Sequence, residues 1–499
     1  MQEQRGSTDL ARGAIGLPEV LFQSITHMAP AAAVAFSIIA GAQYAAGALP
    51  LAVLIALVAC ICVAISIGEL ARHIPSAGGL YAYTSKGLHP GVGFLVAWGY
   101  AFVEPLVAPL LYLILGIVVS GTLAAEFKCS LCDPNQWAVW VAIAAVVVFI
   151  LGYFGVRLST RTGALLGAFE IGVFAVLAVW LILKADHQTF KVFGTGTATA
   201  QNFAGLKGVF AGSIYAILAF IGFEAAAPLA EETRDPRSNI RRAVVYSCLG
   251  IGLFYVLTTY AATVFFGPGK MAGFGAFNNQ DPWEGIAHMV WPTLWVLVFL
   301  AIANSAVANS NAGANATTRT WYAMGRIRLL PRIFASVHPR WNTPDVATVV
   351  QLVVGVGVAL GLGFAFGPFP AFVLVATMIT AVVILIYIAL NVAVITFYLR
   401  ERRDEFNVIK HLVVPIVGIA FFVPAWLTAM GITVFSFVAK LSGPAAHVGI
   451  IVGAWYVLGV VFMIYLYLRN PQRIADTAKV FVEELPAAPT GATEAPAPA

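Results

Sequence analysis

Glu104, Glu170 and Glu224 lie inside long apolar runs of the chain, where an ionised side chain costs at least about 2.5–3.5 kcal/mol on insertion scales. No Lys or Arg stands in the middle of these runs. Such acids face a partner or an interior cavity. One reading makes them structural, protonated or hydrogen-bonded to a helix end; the other makes them sites of proton uptake, cation contact or both. His27 poses the same choice. It sits in Ser24-Ile25-Thr26-His27-Met28-Ala29-Pro30, where Pro30 removes an amide donor and disfavours helical geometry at Ala29. That is either a proline kink with His27 packed on a neighbour, or an unwound segment lining a binding site. A second candidate break is Ala219-Phe220-Ile221-Gly222-Phe223-Glu224. Asn304, Ser305, Asn309, Ser310, Asn311 and Asn315 crowd one later run, with positions 304, 308, 311 and 315 on one helical stripe. They bond across helices or line water.

The elements that must position these residues are membrane helices. Of 499 residues, 60% are hydrophobic and 10% charged, against roughly 25% charged in soluble proteins. So few charges cannot cover a water-exposed surface. A spanning helix needs about 20 mostly apolar residues, and stretches near 20–44, 48–71, 92–124, 137–155, 162–183, 208–230, 243–266, 293–317, 346–366, 370–398, 412–436 and 446–468 qualify. The expected fold is therefore all-α, with about twelve spans; those at 92–124 and 293–325 are long enough to tilt or project. The two candidate breaks fall in spans one and six. Paired interruptions in corresponding halves point to a transporter's midplane site.

Charge sets the expected orientation. With the N-terminus in the cytoplasm, 22 of the 28 Lys and Arg residues fall on that side, among them every Arg. Lys128, Lys184, Lys191, Lys207, Lys270 and Lys440 remain on the other. The positive-inside rule predicts a multi-pass cytoplasmic-membrane protein with both termini cytoplasmic. The net charge of +5 follows from this topology and does not argue for nucleic acid. Residues 1–19 are polar and carry no secretory signal pattern. The Pro/Ala-rich end of 469–499 has nothing to bury and reads as disordered.

Cys60, Cys62 and Cys248 read as small buried hydrophobes. Cys129 and Cys132 flank Ser-Leu in a polar loop, where a local disulfide fits and a zinc site lacks two further ligands nearby. No metal site and no organic cofactor is expected. A membrane enzyme would need a nucleophile–base pair or clustered ligands, yet the eight histidines are scattered; a channel would not need paired breaks. Oligomeric state is not legible.

Four segments resemble the amino acid–polyamine–organocation permease family. Glu69-Leu70-Ala71 through Pro75-Ser76-Ala77-Gly78-Gly79-Leu80-Tyr81-Ala82-Tyr83 looks like its signature after helix 2, and Gly93-Phe94 with Trp98 like the start of helix 3. Gly222-Phe223-Glu224, then Glu231-Glu232-Thr233-Arg234-Asp235-Pro236 and Arg241-Arg242-Ala243, resembles helix 6 and the loop beyond. Tyr322-Ala323-Met324-Gly325-Arg326, Leu330-Pro331 and Val337-His338-Pro339-Arg340 resemble the exit of helix 8.

The resemblance implies the leucine-transporter fold: inverted repeats at 20–184 and 206–398, then two further helices at 412–468. It implies a small solute held between broken helices 1 and 6, with helices 3 and 8 beside them. Carried onto this chain, the binding residues are Ser24, Thr26, His27, Met28, Ala29, Glu104, Phe220, Ile221, Gly222, Glu224 and Asn304. Freed amides of helix 1 suit a carboxylate and freed carbonyls of helix 6 an ammonium group. Two departures stand out. Ser24–Pro30 contains no glycine, where many members have a glycine-rich break. Some members carry a lysine midway along helix 5 that substitutes for a sodium ion; here the position is Glu170, able to carry a proton but not a fixed positive charge. Coupling through Glu170 and Glu224, by proton or sodium, is open on this reading. The implied function is amino acid transport by alternating access, with polyamine uptake as the alternative: Glu104, at pocket depth, favours a cationic group.

Overall fold

The computed structural model describes residues 15–74, 79–127, 133–155, 160–186, 188–231, 233–326, 330–341 and 343–469. Cys129, Cys132, the Pro75–Gly78 part of the helix 2 signature, most of the N-terminal segment and the Pro/Ala-rich tail lie outside them. Among the described residues, twelve helices are long and apolar enough to cross a membrane. They are α1 (Leu17–Ile38), α2 (Ala42–Ala71), α3 (Pro90–Glu126), α4 (Pro134–Tyr153), α5 (Thr162–Lys184) and α6 (Leu206–Ala230), followed by α7 (Pro236–Phe266), α8 (Trp295–Tyr322), α9 (Asp345–Phe366), α10 (Pro368–Arg400), α11 (Ile409–Met430) and α12 (Gly443–Arg469). No strand occurs among the described residues; one isolated bridge joins Ile15 to Thr233. The expected spans are all present, with ends shifted by a few residues. At α8 the helix runs on to Arg326, as the long stretch 293–325 implied, so Arg319 is a helix residue and not a loop charge.

The two expected breaks are real. The first part of α1 stops at His27, and Ala29 adopts a left-handed backbone (φ 45°, ψ 64°) before Pro30 opens the second part. Proline suits that first position because its missing amide would have no partner there. The second part then widens into a π-helical stretch, Ala33–Ile38. In α6 the α-helix ends at Phe220, Gly222 takes φ 119°, and a 3-10 segment, Phe223–Glu231, completes the crossing.

Packing places these broken helices inside. α6 and α10 are the most enclosed, while α9 and α12 face outward. α2 packs on α6 and α7, and α3 on α8 and α10. Gly313 sets the closeness of one contact: a Cβ there would lie 2.5 Å from Val107 Cγ1, so α8 reaches α3 only because that position is bare. Within α3, Pro109 supplies no amide to Pro105 O, and Gln351 Nε2 of α9 donates to that carbonyl at 3.4 Å.

On the Arg-rich side, Glu69 closes α2. Its side chain is 1% exposed and meets Arg72 at 3.0 Å, Arg241 at 3.4 Å, His411 Nε2 at 3.5 Å and Lys410 at 3.9 Å. Four residues, from α7, α11 and the end of α2, thus converge on one carboxylate, which gives the Glu69-Leu70-Ala71 motif a structural role.

Candidate functional site

A cavity of about 450 Å³ lies where the two breaks meet α3, α8 and α10. Small-molecule sites typically span about 300–1,000 Å³. Its wall takes His27, Met28 and Ala29 from α1, Ile221, Gly222 and Glu224 from α6, Tyr100 and Glu104 from α3, and Asn309 and Arg319 from α8. At the Arg-rich end Gln23 and Arg319 are exposed, whereas Ser37, Leu111 and Ile114 at the other end are buried. The cavity is open towards the Arg-rich face and closed towards the opposite one. Gly79, Leu80 and Tyr81, from the helix 2 signature, line its open end.

Each break is held by protein donors. The Tyr255 hydroxyl of α7 lies 2.9 Å from Met28 O and 2.9 Å from Ala219 O, sharing its one proton between the two interrupted helices. Asn309 Nδ2 donates to His27 O at 3.2 Å, and Ser24 Oγ to Phe223 O at 2.9 Å. The Gly222 amide donates to Glu224 Oε2 at 3.0 Å. A buried backbone group left unpaired is costly, so these contacts are what lets the unwound segments persist. The carbonyls of Ala219 and Phe223 are met by Tyr255 and Ser24, and the carboxylates of Glu104 and Glu224 stand in the cavity wall beside the break. His27 Nδ1 lies 3.0 Å from Gln23 O; a carbonyl only accepts, so Nδ1 carries the hydrogen and Nε2 is left for a cavity occupant.

Four of the expected binding residues do not line the cavity. Ser24 and Thr26 turn to backbone carbonyls of Phe223 and Phe22. Phe220 is fully buried against Tyr255. Asn304 sits 2.5 Å from Glu170 Oε1, away from the wall. Glu170 is buried between α5, α8 and the start of the second part of α1, where the Ala31 amide turns towards it. The expected asparagine stripe also divides. Asn311 and Asn315 face Gly152 of α4, and the cavity receives Asn309, Ala312, Gly313, Ala316 and Arg319 instead. Asn309, Tyr100 and Arg319 are wall residues that the family pattern alone did not single out.

No metal-ligand cluster is visible in chain order, yet the fold gathers Glu126, Glu284 and His288 with ligand atoms within 4.8 Å of one another, none of them in the cavity wall.

Twelve apolar helices around a cavity bounded by two interrupted spans define a polytopic membrane transporter. Residues 19–474 match the profile of the amino acid permease family, and the chain belongs to that family. It is a secondary transporter of the amino acid–polyamine–organocation group, as its four motifs implied. It is 26% identical over 402 residues to the low-affinity putrescine importer PlaP of Escherichia coli (strain K12), covering 79% of this chain and 83% of that one. It is 30% identical over 365 residues to an uncharacterized transporter of Mycobacterium tuberculosis (71% and 74% covered). It is 26% identical over 337 residues to the glutamate/serine transporter AimA of Bacillus subtilis (63% and 59% covered).

Proposed function

We propose that this transporter carries amino acids across the cytoplasmic membrane by alternating access, with both termini cytoplasmic and the cavity in its inward-facing form. The observation that carries the reading is the charge layout of one cavity: Glu104 and Glu224 in the wall, Arg319 at the mouth. An amino acid brings an ammonium group for the carboxylates and a carboxylate for the guanidinium. Charge-assisted hydrogen bonds of this kind contribute about 1.5–3 kcal/mol each. Glu224 also holds the Gly222 amide, so solute binding there would register directly at the break in α6. Glu170, outside the wall but bonded to α8 and beside the second part of α1, is suited to coupling proton uptake to movement of those helices.

Polyamine uptake is the second reading, favoured by the pairing of two carboxylates in one cavity and by the likeness to a protein named as a putrescine importer. One experiment separates the two. Purified protein in liposomes is loaded with a labelled solute, and neutral amino acids, basic amino acids and polyamines compete with it, for the parent and for Glu104→Gln. A cationic side chain or second amine read by Glu104 loses roughly ten- to a hundredfold in half-maximal concentration in the variant, while a neutral amino acid is little changed. Polyamines competing and amino acids failing to compete would replace the first reading by the second. Flux that neither saturates nor responds to counter-solute would make the protein a channel.

A further inference from the structure

Away from the cavity, on the Arg-poor side, the short helix Pro282–Val290 between α7 and α8 lies against the end of α3. His288 Nε2 is 3.2 Å from Glu126 Oε1 and 3.6 Å from Glu284 Oε1. Zinc–nitrogen and zinc–oxygen bonds of about 2.0–2.2 Å in a tetrahedron set ligand atoms about 3.3–3.6 Å apart. Glu284 is fully buried, and its Oε1 has no hydrogen-bond partner, nor has His288 Nε2. A buried carboxylate oxygen aimed at an imidazole nitrogen and a second carboxylate, with no donor of its own, is the arrangement a cation completes. The supporting contacts are also in place. Thr122 Oγ1 donates to Glu284 Oε2 at 2.5 Å and turns Oε1 to the cluster, and the His288 ring stacks on Trp295 at 4.7 Å. Such partners orient metal ligands.

The position gives the site a consequence. The same short helix carries Trp283, fully buried, whose Nε1 donates to Val34 O in the π-helical part of α1 at 3.1 Å. It therefore joins α3 to the second part of α1 over the closed end of the cavity. We propose that Glu126, Glu284 and His288 bind a divalent transition-metal cation, zinc fitting the donors and spacing best, and that the ion holds this helix on α3 and arrests transport with that end closed. The arrest rests on the alternating-access reading above; the binding does not.

The test uses the full-length chain, purified in detergent and stripped with chelator, titrated with zinc chloride against a fluorescent zinc indicator. One zinc is expected per chain with low-micromolar affinity. His288→Ala and Glu126→Gln, neither fully buried, each weaken it at least about tenfold, and the Cys129→Ser/Cys132→Ser double variant does not. In liposomes, zinc added to the Arg-poor face inhibits uptake by the parent and spares His288→Ala, whose uptake without zinc equals the parent's. Absence of saturable binding, equal affinity in all variants, or loss only in the thiol variant overturns the site. Binding without inhibition overturns the arrest.

Discussion

At the scale of single residues, Glu170 is a buried carboxylate held by neighbours from two helices. Asn304 Nδ2 donates to one oxygen at 2.5 Å, the Ala31 amide turns towards the carboxylate, and the side chain is 4% exposed. Both contacts reach this one carboxylate, from α8 and from the second part of α1, so Glu170 ties the two helices together. Glu170→Gln keeps the shape and removes the titratable proton. If coupling runs through this group, accumulation against a gradient should fail while downhill exchange largely survives, measured in liposomes with and without a pH difference. Unchanged accumulation would assign coupling to Glu224, His27 or an ion. The acids and His27 stood out in the sequence because a charged or polar group inside an apolar run is conspicuous at any register. Asn309 stood out only as one member of a polar run, and Tyr255 did not stand out. Their roles depend on which turn of α7 or α8 faces the breaks, and a tyrosine in an apolar run reads equally well as packing.

At the scale of elements, the breaks were legible where the backbone chemistry is local. Pro30 forces its own end, and Gly222 permits a backbone that other residues resist. The π-helical stretch Ala33–Ile38 was not legible, because it is Trp283, distant in sequence, that meets Val34 O there. Gly222 gives the element-scale prediction. A Cβ at this position would lie 2.6 Å from His27 C and 2.7 Å from His27 O, with φ already at 119°. Positive-φ strain costs about 1–3 kcal/mol, and the clash with the opposite break adds to it. Gly222→Ala should therefore lower uptake by at least about tenfold and reduce thermal stability in detergent. Gly250→Ala is the control: nothing lies within 4 Å of a Cβ there, in mid-helix α7, so stability should hold or rise slightly. Equal behaviour of the two variants would mean that the breaks are not pressed together as the geometry requires.

At the scale of the whole molecule, the charge asymmetry and the cavity mouth make one joint prediction. All Arg residues fall on one side of the twelve-span alternation, and the cavity opens towards that side, at Gln23 and Arg319. Positive loops are retained in the cytoplasm; with the orientation proposed above, this conformation is the inward-facing one. Gly273, in the segment after α7, is exposed with open space around a new side chain, and Ser238 begins the same helix on the Arg-rich side. In a Cys129→Ser/Cys132→Ser background, the remaining cysteines at 60, 62 and 248 are buried and silent. Gly273→Cys should then react with an impermeant thiol reagent added to intact cells, and Ser238→Cys only after the membrane is opened. A third position, Thr320→Cys at the cavity's mouth, should react from the cytoplasmic face and be protected by transported solute. Labelling of Ser238→Cys from outside would reverse the orientation. Labelling of Thr320→Cys from outside, with the other two as expected, would instead mean that the cavity also opens outward in the membrane, with the helix Pro282–Val290 lifted from α3.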